Sequence, residues 1–103
     1  MNHYPTAESL EYNRFKTIDD FKWCTDCGGE IEFEWKGKVF GVFPKLRRTP
    51  DAPIQMLISQ IYVDDIEQTE KWCDDADEVL EYVVDGDRLR DIITKVDVTS
   101  RTI

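Results

Sequence analysis

Apolar and polar residues alternate strictly through Glu30-Ile31-Glu32-Phe33-Glu34-Trp35, which puts Ile31, Phe33 and Trp35 on one face and three glutamates on the other. Lys36-Gly37 reads as a two-residue turn, after which Lys38-Val39-Phe40-Gly41-Val42-Phe43 returns as a second strand that Pro44 ends. This hairpin is the strongest signal in the chain, and it predicts that Lys38 faces a glutamate of the first strand. Upstream, Thr17 followed by Asp20 marks a helix start. Ile18, Phe21 and Cys24 or Thr25 would share its buried face, and Gly28-Gly29 would stop it.

Downstream, Ile54 to Val63 is nearly continuous in aliphatic and β-branched residues and predicts a long third strand in a central position. Residues 64–70 read as an acidic loop, and Glu70 to Cys73 as a short fourth strand through Trp72. Asp75 and Glu78 have capping-box spacing ahead of Val79 and Leu80, and Asp85-Gly86 breaks that helix. Asp87 would cap a last helix whose Leu89, Ile92, Ile93 and Val96 follow a helical stripe, and Val98 to Ile103 is β-prone. The expected fold is α+β, with order α-β-β-β-(β)-α-α-(β): an antiparallel sheet of three to five strands with two or three short helices. Residues 1–13 are polar and unpatterned, a flexible lead into a single domain spanning 14–103.

At 103 residues the chain holds one domain, and its 41% hydrophobic content is enough for a packed core. Charge changes the picture more. The net charge is −9, against nucleic-acid binding, which calls for excess Lys and Arg. Residues 1–50 balance eight acids with eight bases, whereas residues 51–103 carry fourteen acids and five bases. Between Asp64 and Asp87 eleven acids face Lys71 alone. One reading of this run is a solvated helix face plus capping residues; the other is a binding surface.

Reaction chemistry is sparse. The single histidine, His3, lies in the expected lead, and no glycine-rich phosphate loop, GxSxG elbow or HExxH pair is present, so the chain reads as a non-enzyme without a cofactor. Asp74-Asp75-x-Asp77 and Asp85-x-Asp87 lack the spacing of a calcium loop. Cys24-Thr25-Asp26-Cys27-Gly28-Gly29 has the look of half a zinc knuckle, with Cys73 as the remaining thiol, but zinc needs four ligands and no second C-x-x-C exists. The same pair falls near a helix C-terminus, the wrong end for lowering a thiol pKa in redox chemistry. Phe21, Trp23, Phe33, Trp35, Phe40, Phe43, Trp72 and Tyr82 are expected in the core, with Trp35 half exposed beside its turn. With no apolar run long enough to span a membrane, no signal-peptide pattern and an odd number of cysteines, the expected setting is cytoplasmic.

Gly29-Glu-Ile-Glu-Phe-x-Trp-x-Gly37-Lys38, Ala76-Asp-Glu-x-Leu-x-Tyr82 and Gly86-Asp-Arg-Leu-x-Asp-Ile-Ile93 together resemble small acidic α+β proteins of Firmicute bacteria and their mobile elements, over residues 15–103. That group has no assigned activity, so the resemblance implies fold and source. Small acidic proteins of mobile elements, anti-CRISPR inhibitors among them, occupy basic grooves by imitating nucleic-acid charge. The expected function is therefore a non-enzymatic interaction protein whose partner is a basic protein surface such as that of a nuclease. Its binding residues would be Asp64, Asp65, Glu67, Glu70, Asp74, Asp75, Asp77, Glu78 and Glu81. The alternatives are a small structural or dimeric domain with no ligand, whose charge serves only solubility, or a C-x-x-C zinc module; a homodimer would form if the basic segment Lys45, Arg47 and Arg48 docked on the acidic region of a second copy.

Overall fold

A computed structural model describes residues 13–44, 51 and 55–102 of the chain. The expected flexible lead, Asn13 apart, and the basic segment at 45–48 lie outside the described residues. The fold is α+β, built around a five-stranded antiparallel sheet.

Helix α1 (Ile18–Asp26) opens on Thr17, whose hydroxyl accepts the Asp20 amide at 3.0 Å. It closes on a Schellman turn: the Gly28 and Gly29 amides donate to the Thr25 and Cys24 carbonyls, with Gly28 at φ +80. A Cβ on Gly29 would meet the Cys24 sulfur at 2.6 Å and its carbonyl oxygen at 2.9 Å, so only glycine lets the chain leave the helix here. Strands β1 (Ile31–Trp35) and β2 (Lys38–Pro44) pair through the Lys36-Gly37 turn. Both turn residues have positive φ, 51° and 78°, as a type I′ turn demands.

β3 (Met56–Ile61) pairs with β2 on one side and β4 (Lys71–Cys73) on the other, which explains its continuous hydrophobicity. Ile54 is outside the described residues, so the strand seen is the inner part of the predicted one. The acidic loop between them winds into a four-residue helix, α2 (Ile66–Thr69), in which the Thr69 hydroxyl donates to the Ile66 carbonyl and accepts the Gln60 amide of β3. β7 (Asp97–Arg101) adds to the free edge of β1, with a bulge between Glu32 and Phe33. The resulting sheet order is β4-β3-β2-β1-β7.

One face of the sheet carries Ile31, Phe33, Phe40, Val42, Met56, Ile58, Cys73 and Val98, all buried. Over it lie α1, α3 (Ala76–Leu80) and α4 (Leu89–Ile92). Asp75 caps α3, accepting the Glu78 amide at 2.9 Å, and the Glu78 carboxylate answers by accepting the Asp74 amide at 3.1 Å. The Tyr82 hydroxyl donates to the Thr69 carbonyl, tying the end of α3 to α2.

Two expectations fail at the C-terminal end. Asp85-Gly86 is not merely a helix break: it is the turn of a second hairpin, β5 (Val83–Val84) with β6 (Asp87–Arg88). Asp87 therefore does not cap the last helix. Arg88 occupies that position without a side-chain bond, and α4 is one turn long. Leu89, Ile92, Ile93 and Val96 are still all buried, so the apolar stripe reported burial correctly and overstated helix length.

Gly29→Ala is expected to destabilise the protein by about 1–3 kcal/mol through overpacking against the backbone of α1. Thermal unfolding followed by circular dichroism measures this, and an unchanged Tm would contradict the close approach.

Candidate interaction surface

The acidic run divides into two electrostatic classes once the chain is folded. The first class is neutralised from within. Asp77 on α3 receives Lys22 of α1 at 3.3 Å and Arg90 of α4 at 3.5 Å. Glu81 receives Arg90 at 3.1 Å and Arg88 at 3.4 Å. Hydrogen bonding from Lys22 holds the Asp77 carboxyl below its usual range, and the Glu81 carboxylate raises Arg90. Asp75 and Glu78 are occupied in capping α3. Asp74 falls outside this class, since it accepts a 3.1 Å bond only from the neutral Gln55 amide.

The β5–β6 turn belongs to this class as well. Lys38 does not face a glutamate: its register partner is Trp35, and its ammonium reaches Asp85 at 2.9 Å. Lys36 reaches Asp87 at 2.9 Å, and the Trp35 indole donates to the same carboxylate at 3.0 Å. The tips of two hairpins are thus clasped by two ion pairs and an indole. The bonds from Lys38 and from Lys36 hold Asp85 and Asp87 below the ordinary carboxylate value, and Lys36 rises in return.

The second class is Asp64, Asp65, Glu67 and Glu70. None of these makes an ion pair or a side-chain hydrogen bond among the described residues. They surround α2, at the end of β3 remote from Pro44. Tyr62 sits at the entry to this segment, 79% exposed and at φ +61, a backbone region that bulky residues seldom adopt. Trp72, 46% exposed, lies on the adjoining strand β4. Sequence periodicity could not single out Tyr62. Its one signal was position, an aromatic just past a hydrophobic strand and ahead of two aspartates.

Of the aromatics expected inside, Phe21, Phe33 and Phe40 are buried, while Phe43, Tyr82 and Trp35 are partly buried. Trp23 and Trp72 are exposed and so depart from that expectation. Phe15 joins the core edge-on to Phe21 at 5.3 Å, with the Arg101 guanidinium 4.5 Å over its ring. Arg101 also pairs with Asp20 at 2.9 Å, locking β7 to α1.

The three thiols do not converge. Cys24 is buried in the core from α1 and Cys73 from β4 on the helix-covered face of the sheet, while Cys27 is exposed at the helix cap. Burial pushes the Cys24 and Cys73 thiols up, away from the thiolate that a metal requires, with Arg101 partly opposing the shift at Cys24. Among the described residues no three Cys, His, Asp or Glu side chains gather into a metal-sized group, and no helix is long and apolar enough to cross a membrane.

The described residues form an α+β domain with helices packed on a five-stranded antiparallel sheet and an acidic end that makes no ion pair among them. No protein-family model, curated protein or solved structure matches the chain.

Because Asp85 and Asp87 are depressed when folded, the clasp stabilises at neutral pH and loses its contribution as pH falls below the ordinary 3.8. The double variant Asp85→Asn, Asp87→Asn should melt below wild type at pH 7. The gap should close as the buffer is acidified past that value, and a gap independent of pH would contradict the pairing.

Proposed function

We propose that this is a non-enzymatic interaction protein that engages a basic protein surface through the unneutralised acids Asp64, Asp65, Glu67 and Glu70. The observation that carries the reading is the division of the carboxylates. Those on α3 and the β5–β6 turn are already satisfied by the protein's own lysines, arginines and amides. The four around α2 meet no cation or side-chain donor among the described residues and are left for another molecule. Asp74, held only by a neutral glutamine, adds to them.

The partner class that fits is a protein surface built to receive nucleic acid, such as the groove of a nuclease. Exposed carboxylates supply charge where phosphates would sit, and the exposed Tyr62 ring supplies the flat surface of a base. In this reading Asp75, Asp77, Glu78 and Glu81 build the scaffold rather than the contact. Long-range attraction between the acidic end and a basic groove raises the rate of encounter.

Affinity capture from the source cells with the full chain, followed by mass spectrometry, should recover a basic nucleic-acid-binding protein, and retention should fall steeply between about 50 and 500 mM salt. Asp64→Lys, Asp65→Lys and Glu67→Lys together should abolish retention. Asp77→Asn with Glu81→Gln should leave it within about twofold, less than 1 kcal/mol in binding. Retention that survives the triple reversal would refute the assignment.

A further inference from the structure

Tyr62, at 79%, is the most exposed of the large apolar side chains on the described surface. Its ring meets no other aromatic ring and its hydroxyl makes no hydrogen bond among the described residues. The fold gains little from this side chain. It does use the backbone at this position: β3 ends at Ile61, and a residue at φ +61 turns the chain toward Asp64, Asp65 and α2. Thr69 closes the segment by bonding back to both the amide and the carbonyl of Gln60.

A left-handed turn calls for glycine or asparagine, and a bulky ring there is strained. The other two non-glycine residues with positive φ, Lys36 and Asp85, each use their side chain within the fold, pairing with Asp87 and Lys38. Tyr62 has no such use among the described residues. Strain accepted for a side chain that the fold leaves in solvent points to a use by another molecule.

Asp64 and Asp65 follow two and three residues later, so chain length alone keeps their Cα atoms within about 7 and 11 Å of that of Tyr62. An open ring face beside carboxylates that meet no cation matches the chemistry of a guanidinium. Its plane stacks on an aromatic face while its edge donates to a carboxylate. We propose that Tyr62 receives an arginine of the partner protein, stacked on the ring and paired with Asp64 or Asp65. The proposal rests on the basic-partner reading above and names the residue of the partner that is read. A lysine fits less well, because its strongly hydrated point charge pairs with a carboxylate and gains less from the ring.

The test titrates the full chain, at about 50 mM salt, with a pair of fluorescent peptides of about ten residues. One carries arginine at every second position, and the other carries lysine in the same places. The arginine peptide should bind about three- to fivefold tighter, the margin of one exposed cation–π contact, and should shift the Tyr62 ring resonances. Tyr62→Phe, which keeps the ring, should keep that margin. Tyr62→Asn should erase it and melt no lower than wild type, because asparagine tolerates the left-handed backbone. Asp64→Asn with Asp65→Asn should weaken both peptides together.

Equal affinity of the wild type for the two peptides would overturn the proposal. It would leave the broader reading standing, since that needs only charge and is decided by the Asp64, Asp65, Glu67 reversal. Binding of neither peptide would overturn the proposal too, as would an arginine preference that survives Tyr62→Asn. So would a Tm lowered by more than about 4 °C in Tyr62→Asn, which would show that the ring serves the fold.

Discussion

Everything in this fold depends on burying one apolar face of a five-stranded antiparallel sheet beneath helices too short to exist without it. The described helices run from four to nine residues, well under the length at which an isolated helix holds together in water. Three of them persist because they deliver buried side chains to the same face: Phe21 and Cys24 from α1, Val79 and Leu80 from α3, Leu89 and Ile92 from α4. α2 buries none and is held by the Thr69 and Tyr82 hydrogen bonds. Capping does the remaining work. Thr17 and Asp75 satisfy amides at two helix starts, and the Schellman turn at Gly28-Gly29 satisfies carbonyls at one end.

That packing also decides the electrostatics. To cover the sheet, α1, α3 and α4 must lie side by side, which brings Lys22 and Arg90 onto Asp77 and Arg90 onto Glu81. The second hairpin must likewise meet the first, which brings Lys36 and Lys38 onto Asp87 and Asp85. Bases from the neutral first half of the sequence are thereby spent on acids of the second half. Within the acidic run, Asp64, Asp65, Glu67 and Glu70 around α2 meet no cation among the described residues. The proposed contact of the protein, the acidic end around α2, is what that pairing leaves over.

Local signals were legible where a short stretch of chain contains the whole cause. The β1–β2 hairpin follows from alternation and a Lys-Gly turn, α1 from Thr17 and the paired glycines, and α3 from the Asp75–Glu78 box. The acidic cluster was legible as a count but not as a surface, because a net charge of −10 across residues 64–87 says nothing about which carboxylates meet a cation. Asp77 and Glu81 looked like the heart of the site, yet they sit in a network closed by Arg90. Asp87 looked like a cap because Asp before Leu89 fits that role locally, and the indole of Trp35, 52 positions away, claims it instead.

The sequence by itself determined the class of fold, the first hairpin, the inner face of the sheet and the total charge, since each is a sum over neighbours within a few residues. Tertiary structure alone decided that β7 pairs with β1, that a second hairpin docks on the first, and that Tyr62 and Trp72 face outward. It also decided that the four acids around α2 meet no cation among the described residues. Those are questions of which distant side chain arrives first at a carboxylate or a strand edge, and only the packing of the sheet against its helices answers them.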